Sequence, residues 1–164
     1  MLRWKVVIIA VFYCNIYTCA IQQRGKALFP AALRVKRGMI NPIFQNSIED
    51  INLLYEIMLA GLQIGDGDVP FTVQDEELAS MRQARTLEAI CEDVLPKRLT
   101  DIRRLISDLS QRQGPLQRGD FERIVLTMVY ATYRLTNTSG HQRDAWEESF
   151  ISLYRALKQD LRGQ

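Results

Sequence analysis

Cys91, His141 and Asp144 supply the three residue types from which a thiol nucleophile, its general base and an orienting carboxylate can be assembled. They are scattered along the chain without a local motif, and His141 is the only histidine. One imidazole excludes a two-histidine zinc site and the paired-histidine helix of metalloproteases. No Gly-rich phosphate loop precedes a basic helix, and no nucleophile elbow is present. His141 reads more simply as an exposed or capping residue at a helix start. The expectation is a non-enzymatic protein with no catalytic residue, cofactor or metal.

Asp66, Asp68 and Glu77 occupy the first, third and twelfth positions of a calcium-loop frame. Pro70 replaces an oxygen ligand and Phe71 stands where the sharp turn requires glycine, so the stretch reads as a polar turn. Asn137-Thr138-Ser139 is an acceptor sequence for N-linked sugar with a permitted middle residue, placed between two helical patterns. Asn137 is the expected glycosylation site.

The first 37 residues give these features their context. Arg3 and Lys5 precede the apolar run Val6–Tyr13, and Thr18-Cys19-Ala20 offers the small residues that signal peptidase accepts. A signal peptide over 1–20, cut after Ala20, is expected. The rival is a retained anchor over Val6–Ile21, which falls short of the ~20 apolar residues of a membrane span and carries Asn15. Arg34-Val35-Lys36-Arg37 then matches the preference of proprotein convertases for basic side chains at the first, second and fourth positions before the cut. Residues 21–37 are read as a prosegment, with a solvated basic loop as the alternative, and 38–164 as the helical domain.

Charge and cysteine usage change once this segment is set apart. The chain carries 21 basic and 19 acidic residues, a formal net charge of +2. Seven of the basic residues and none of the acidic ones precede Gly38, so the remainder has fourteen against nineteen, or −5. A nucleic-acid binder needs a concentrated basic face, and no such block remains. Cys14 and Cys19 fall in the leader, which leaves Cys91. A lone cysteine cannot staple a small secreted domain, so burial of apolar surface must hold this one together. Cys91 itself is open to two readings, a buried inert thiol or an intermolecular disulfide in a homodimer.

The spacing of apolar residues predicts five amphipathic helices. The first covers about 47–63, capped by Ser47, with Ile48, Ile51, Leu54, Tyr55, Met58 and Leu62 inward. A Gly/Asp/Pro loop follows at 65–70. The second opens on Asp75-Glu76-Glu77, with Thr72 as a candidate cap and a break near Thr86, and Pro96 stops it. Thr100 is expected to cap the third, which ends at Gly114-Pro115, and Asp120 to cap the fourth. The fourth is rich in β-branched residues, yet its length without a turn signal favours helix over strand. Trp146, Phe150, Leu153, Leu157 and Leu161 mark the fifth. With no strand signal, the fold class is all-α: a single-domain bundle whose last two helices form an antiparallel hairpin.

Several blocks in order carry a family resemblance. Leu28-Phe29-Pro30-Ala31-Ala32 with the following Arg-x-Lys-Arg, Leu53-Leu54-Tyr55-Glu56, Asp75–Ser80, Asp101–Leu105, Asp120–Arg123, Val125-Leu126-Thr127 and Gly140-His141-Gln142 resemble the family with sequence similarity 180 over about residues 28–162. The resemblance implies a secreted protein with a signal peptide and no established activity. It does not extend to the Asn137 sequon.

Two functional readings follow. One is a secreted, convertase-processed helical protein that binds a cell-surface partner, with Asp75, Glu76, Glu77, Arg143, Glu147 and Arg155 as the first contact residues to test. The other is an interaction protein of the extracellular matrix or secretory lumen, with a Cys91-linked dimer as one form. Neither involves nucleic acid or stable membrane insertion after the leader is removed.

Overall fold

Ser47 starts the first helix with the reciprocal bonds its sequence predicts. Its Oγ accepts from the Asp50 N–H at 3.2 Å, and the Asp50 carboxylate accepts from the Ser47 N–H at 3.0 Å. A further bond from the Asn46 N–H is the leading cause holding the Asp50 carboxyl below its usual range. The computed structural model describes residues 27–34, 42–65, 71–112 and 114–162. The leader with Ala20, the basic residues Lys36 and Arg37, and the calcium-frame residues Asp66, Asp68 and Pro70 lie outside the described residues.

A 3-10 turn at Pro30–Leu33 comes first, followed by α1 (Ile48–Glu56), which widens into a π turn at Ile57–Gly61. Strands β1 (Leu62–Ile64) and β2 (Phe71–Val73) pair antiparallel, with Leu62 opposite Val73 and Ile64 opposite Phe71. Then come α2 (Glu76–Ser80), α3 (Arg82–Ala89) with a π turn at Ile90–Val94, α4 (Leu99–Gln111), α5 (Arg118–Asn137) and α6 (Gly140–Arg162). The long α5 and α6 pack on each other and α4 covers α6. The chain is therefore mostly helical, as its periodicity requires, with one small hairpin added.

That hairpin corrects the sequence reading, which carried the first helix through residue 63. Leu62, Gln63 and Ile64 alternate over too few residues to show a strand period, and only the pairing with 71–73 reveals it. Thr72 is consequently a strand residue and not a cap. Asp75 caps α2 instead, its Oδ1 accepting from the Leu78 N–H at 2.9 Å. The break expected near Thr86 falls at Met81, whose extended backbone ends α2 and starts α3. Thr100 lies inside α4, which begins after Arg98, and Asp120 lies in the first turn of α5 after Gln117.

Helix α1 is also rotated from its expected orientation. Leu54 and Ile57 are buried, while Ile48, Tyr55 and Leu59 are 74%, 61% and 86% exposed. The core joins Leu54, Ile57, Phe71, Leu87, Ile90, Ile102, Ile124 and Leu153. Tyr130 bridges β2 to α6 with ring centroids 5.7 Å from Phe71 and 5.9 Å, edge-on, from Trp146.

The β-branched character of α5 is accommodated by packing and by hydroxyls turned back on the helix. Thr127 Oγ1 donates to the Arg123 carbonyl at 2.7 Å and Thr132 Oγ1 to that of Met128 at 3.0 Å. Thr127 and Ala131 are fully buried, so docking offsets the weak intrinsic preference. A peptide of residues 118–137 is accordingly expected to show little helix by circular dichroism in water. Helicity above about half would refute this account.

The N-terminal stretch is the largest departure. Leu28, Phe29 and Ala32 belong to the core, and the Pro30–Leu33 turn packs against the Ile90–Val94 π turn. Packing into the helical body is already present at Leu28, upstream of the domain start expected at Gly38. Residues counted as a prosegment on charge and motif are built into the fold because their apolar members find partners some sixty to ninety positions away.

Candidate functional site

Two adjacent residues of α5 form the most concentrated buried polar arrangement among the described residues. Glu122 and Arg123 are each 2% exposed. Charge at such depth is costly unless each group is paired or hydrogen-bonded. Glu122 accepts two consecutive backbone N–H groups, Oε1 from Phe44 and Oε2 from Gln45, both at 2.9 Å. Arg123 Nη2 donates to the Pro42 carbonyl at 2.9 Å, and its Nη1 lies 3.5 Å from Asp120 Oδ1. The other Asp120 oxygen accepts from Arg112 at 3.0 Å.

The guanidinium of Arg123 also stands 5.7 Å from the centre of the Phe29 ring. Its burial pulls its pKa below the ordinary arginine value, Asp120 opposes this, and the group stays charged. Gly119, one turn earlier, provides the space for this approach. A Cβ there would stand 3.2 Å from Arg123 Nη1 and 3.3 Å from the Ile43 side chain. Helix α5 thus contacts the chain on both sides of residues 35–41, at Phe29 and at Pro42–Gln45.

This arrangement was not singled out in the sequence, where Glu122 and Arg123 are ordinary helix charges. Their partners lie 77 to 81 positions away. The one available signal was an apolar Leu-Phe-Pro-Ala-Ala run inside an otherwise basic segment.

The remaining candidates are dispersed. Arg34 is exposed just after the 3-10 turn. Asn137 is the exposed last residue of α5, its Nδ2 donating to the Tyr133 carbonyl at 3.0 Å. Glu76 and Glu77 are exposed, as is Asp75, which acts as a cap. Arg143, Glu147 and Arg155 are exposed along α6. No group of three or more potential metal ligands occurs among the described residues.

Cys91 has no exposed surface, whereas His141 and Asp144 are exposed in the first turn of α6. The fold does not present the thiol to a substrate, and a disulfide from Cys91 to a second chain would require the core to open. Desolvation pushes the thiol pKa up strongly. Because the folded pKa lies above the ordinary value of 9.0, the stability from keeping this thiol neutral is complete below pH 9. It falls by about 1.4 kcal/mol per pH unit above that value. Thiol reagents at neutral pH are expected to label Cys91 at least ~1000-fold faster in denaturant than in buffer. Equal rates would place the side chain at the surface.

The FAM180 family model matches residues 28–161, from the buried Leu28 to the last turn of α6. The chain belongs to the FAM180 family. Human Protein FAM180B is 32% identical over 112 residues, a match covering 66% of this chain and 61% of that relative. No solved structure matches. The FAM180 match begins at Leu28, which is also the first core residue among the described residues, so the stretch from Leu28 lies within the family's matched region and within the packed core. Among the described residues of this FAM180 chain, no helix is long and apolar enough to cross a membrane.

Proposed function

We propose that this protein is a secreted, convertase-processed helical module that acts without catalysis, by binding a partner at the cell surface. The carrying observation is the order of signals in the chain: an apolar leader, an Arg-x-Lys-Arg motif and a sugar-acceptor sequence, in front of and within one helical body. Arg34 and Asn137 are both exposed, which is compatible with modification at each. The matrix or lumen reading draws no equivalent support, because its linked dimer depends on a thiol closed inside the core.

Intact-mass spectrometry of conditioned medium tests the processing. The expected masses start at Ile21 or Gly38 and carry a glycan that disappears with Asn137→Gln. Unclipped, sugar-free chain retained in cytosol would overturn the reading. Binding is tested by adding the labelled secreted protein to intact cells, where saturable uptake at the surface is expected. Glu76→Lys with Glu77→Lys, and separately Arg143→Glu with Arg155→Glu, should leave folding unchanged, since these side chains are exposed. At least one pair is expected to lower surface binding about tenfold or more.

A further inference from the structure

The chain is anchored independently on the two sides of residues 35–41. Upstream, Leu28, Phe29 and Ala32 are buried in the core, the Pro30–Leu33 turn packs against the Ile90–Val94 π turn, and the Phe29 ring faces the Arg123 guanidinium. Downstream, Pro42 is bonded through its carbonyl to Arg123, and the Phe44 and Gln45 N–H groups to Glu122. Phe44 itself is 1% exposed. None of these contacts runs through the connection between Arg34 and Pro42. Releasing the upstream stretch would return two large apolar side chains to water and strip Arg123 of its ring neighbour.

We propose that cutting the chain after Arg37 produces a two-chain protein. The upstream fragment stays seated on the helical body through residues 27–34, as a peptide ligand of a groove that its own Leu28, Phe29 and Ala32 fill. This rests on reading Arg34–Arg37 as a processing site. The cut hydrolyses one peptide bond, with water adding across it to give a carboxylate on Arg37 and an ammonium on Gly38. The new termini carry opposite charges. The secreted form is then a complex whose second chain carries Arg34 and the other basic residues of 21–37, restoring positive charge that simple removal would take away. Co-elution of the two fragments at micromolar concentration requires a dissociation constant on the order of a micromolar or tighter.

The test uses the purified secreted protein, nicked by a convertase. A second form carries a sequence-specific protease site inserted after Arg37, so that it can be nicked even if the convertase leaves the natural motif intact. At about 20 µM, both fragments are expected to co-elute on size exclusion and to separate only in denaturant. Elution of the small fragment apart from the body overturns the proposal. Failure of the convertase to cut, with co-elution after the engineered cut, overturns only the processing reading. A labelled synthetic peptide of residues 21–37 should exchange into the nicked protein. The same peptide with Phe29→Ala should compete about 100-fold more weakly. Equal competition by the two peptides would show that the groove does not read this stretch.

Discussion

Replacing Phe29 by Ala in the uncut protein is expected to lower the unfolding free energy by about 3–5 kcal/mol. The side chain is almost fully enclosed, and its ring faces the buried guanidinium of Arg123. Truncation would therefore leave a cavity and remove the cation–ring contact together. With a urea dependence of about 1–3 kcal/mol per molar for a protein of this size, the midpoint should fall by roughly 2 M. Leu28→Ala should cost nearly as much, at about 2–4 kcal/mol. A dispensable prosegment predicts changes below about 0.5 kcal/mol for both. Equilibrium urea unfolding followed by Trp fluorescence decides between them, since Trp146 is in the core and would report its loss.

Removing the Glu122 carboxylate should have an effect of similar size by a different route. Glu122→Ala leaves the Phe44 and Gln45 N–H groups without their acceptor and Arg123 with Asp120 as its remaining acidic neighbour. The expected cost is about 3–5 kcal/mol, the range for breaking a buried charged contact. Glu122→Gln keeps one acceptor oxygen and the side-chain volume, so about half that loss is expected. The location of the effect matters as much as its size. Amide hydrogen exchange at Phe44 and Gln45 should accelerate more than a hundredfold in Glu122→Ala, ahead of the change in the α5–α6 pair. A uniform acceleration across the protein would mean that Glu122 supports the bundle generally and does not clasp residues 42–45.

The helical frame was legible where the causes were local. Ser47 and Asp50 announce a capping box, and the structure closes it. Leu78, Ala84, Leu87, Ile90 and Val94 recur at helical spacing and are all buried, with Met81 partly so, because a 3.6-residue period is a property of the segment itself. The long final helices were recognised, since apolar spacing over twenty residues is hard to imitate, although α5 starts after Gln117, three positions before the cap expected at Asp120. What escaped the sequence depended on partners elsewhere. Leu62–Ile64 becomes a strand only because residues 71–73 run beside it. Ile48 and Tyr55 share a helical stripe with Leu54, yet the neighbours of α1 cover one edge of that stripe and leave the other bare.

The clasp and the seated N-terminal stretch were illegible for the same reason. A glutamate and an arginine in sequence look like solvent-facing charges, and nothing within a few positions says that backbone groups 77 to 81 residues away will reach them. An Arg-x-Lys-Arg motif marks a candidate scission point and says nothing of how the preceding residues pack.

The separation of 81 positions between Arg123 and Pro42 also sets a timetable for the growing polypeptide. At a synthesis rate of about 5–20 residues per second, the oldest part of the chain waits roughly 4–16 s for its seat to emerge from the ribosome. Until then Leu28 and Phe29 are greasy side chains without a home, available to chaperones. This stretch is made well before the helix that encloses it, so its packing waits on the synthesis of α5.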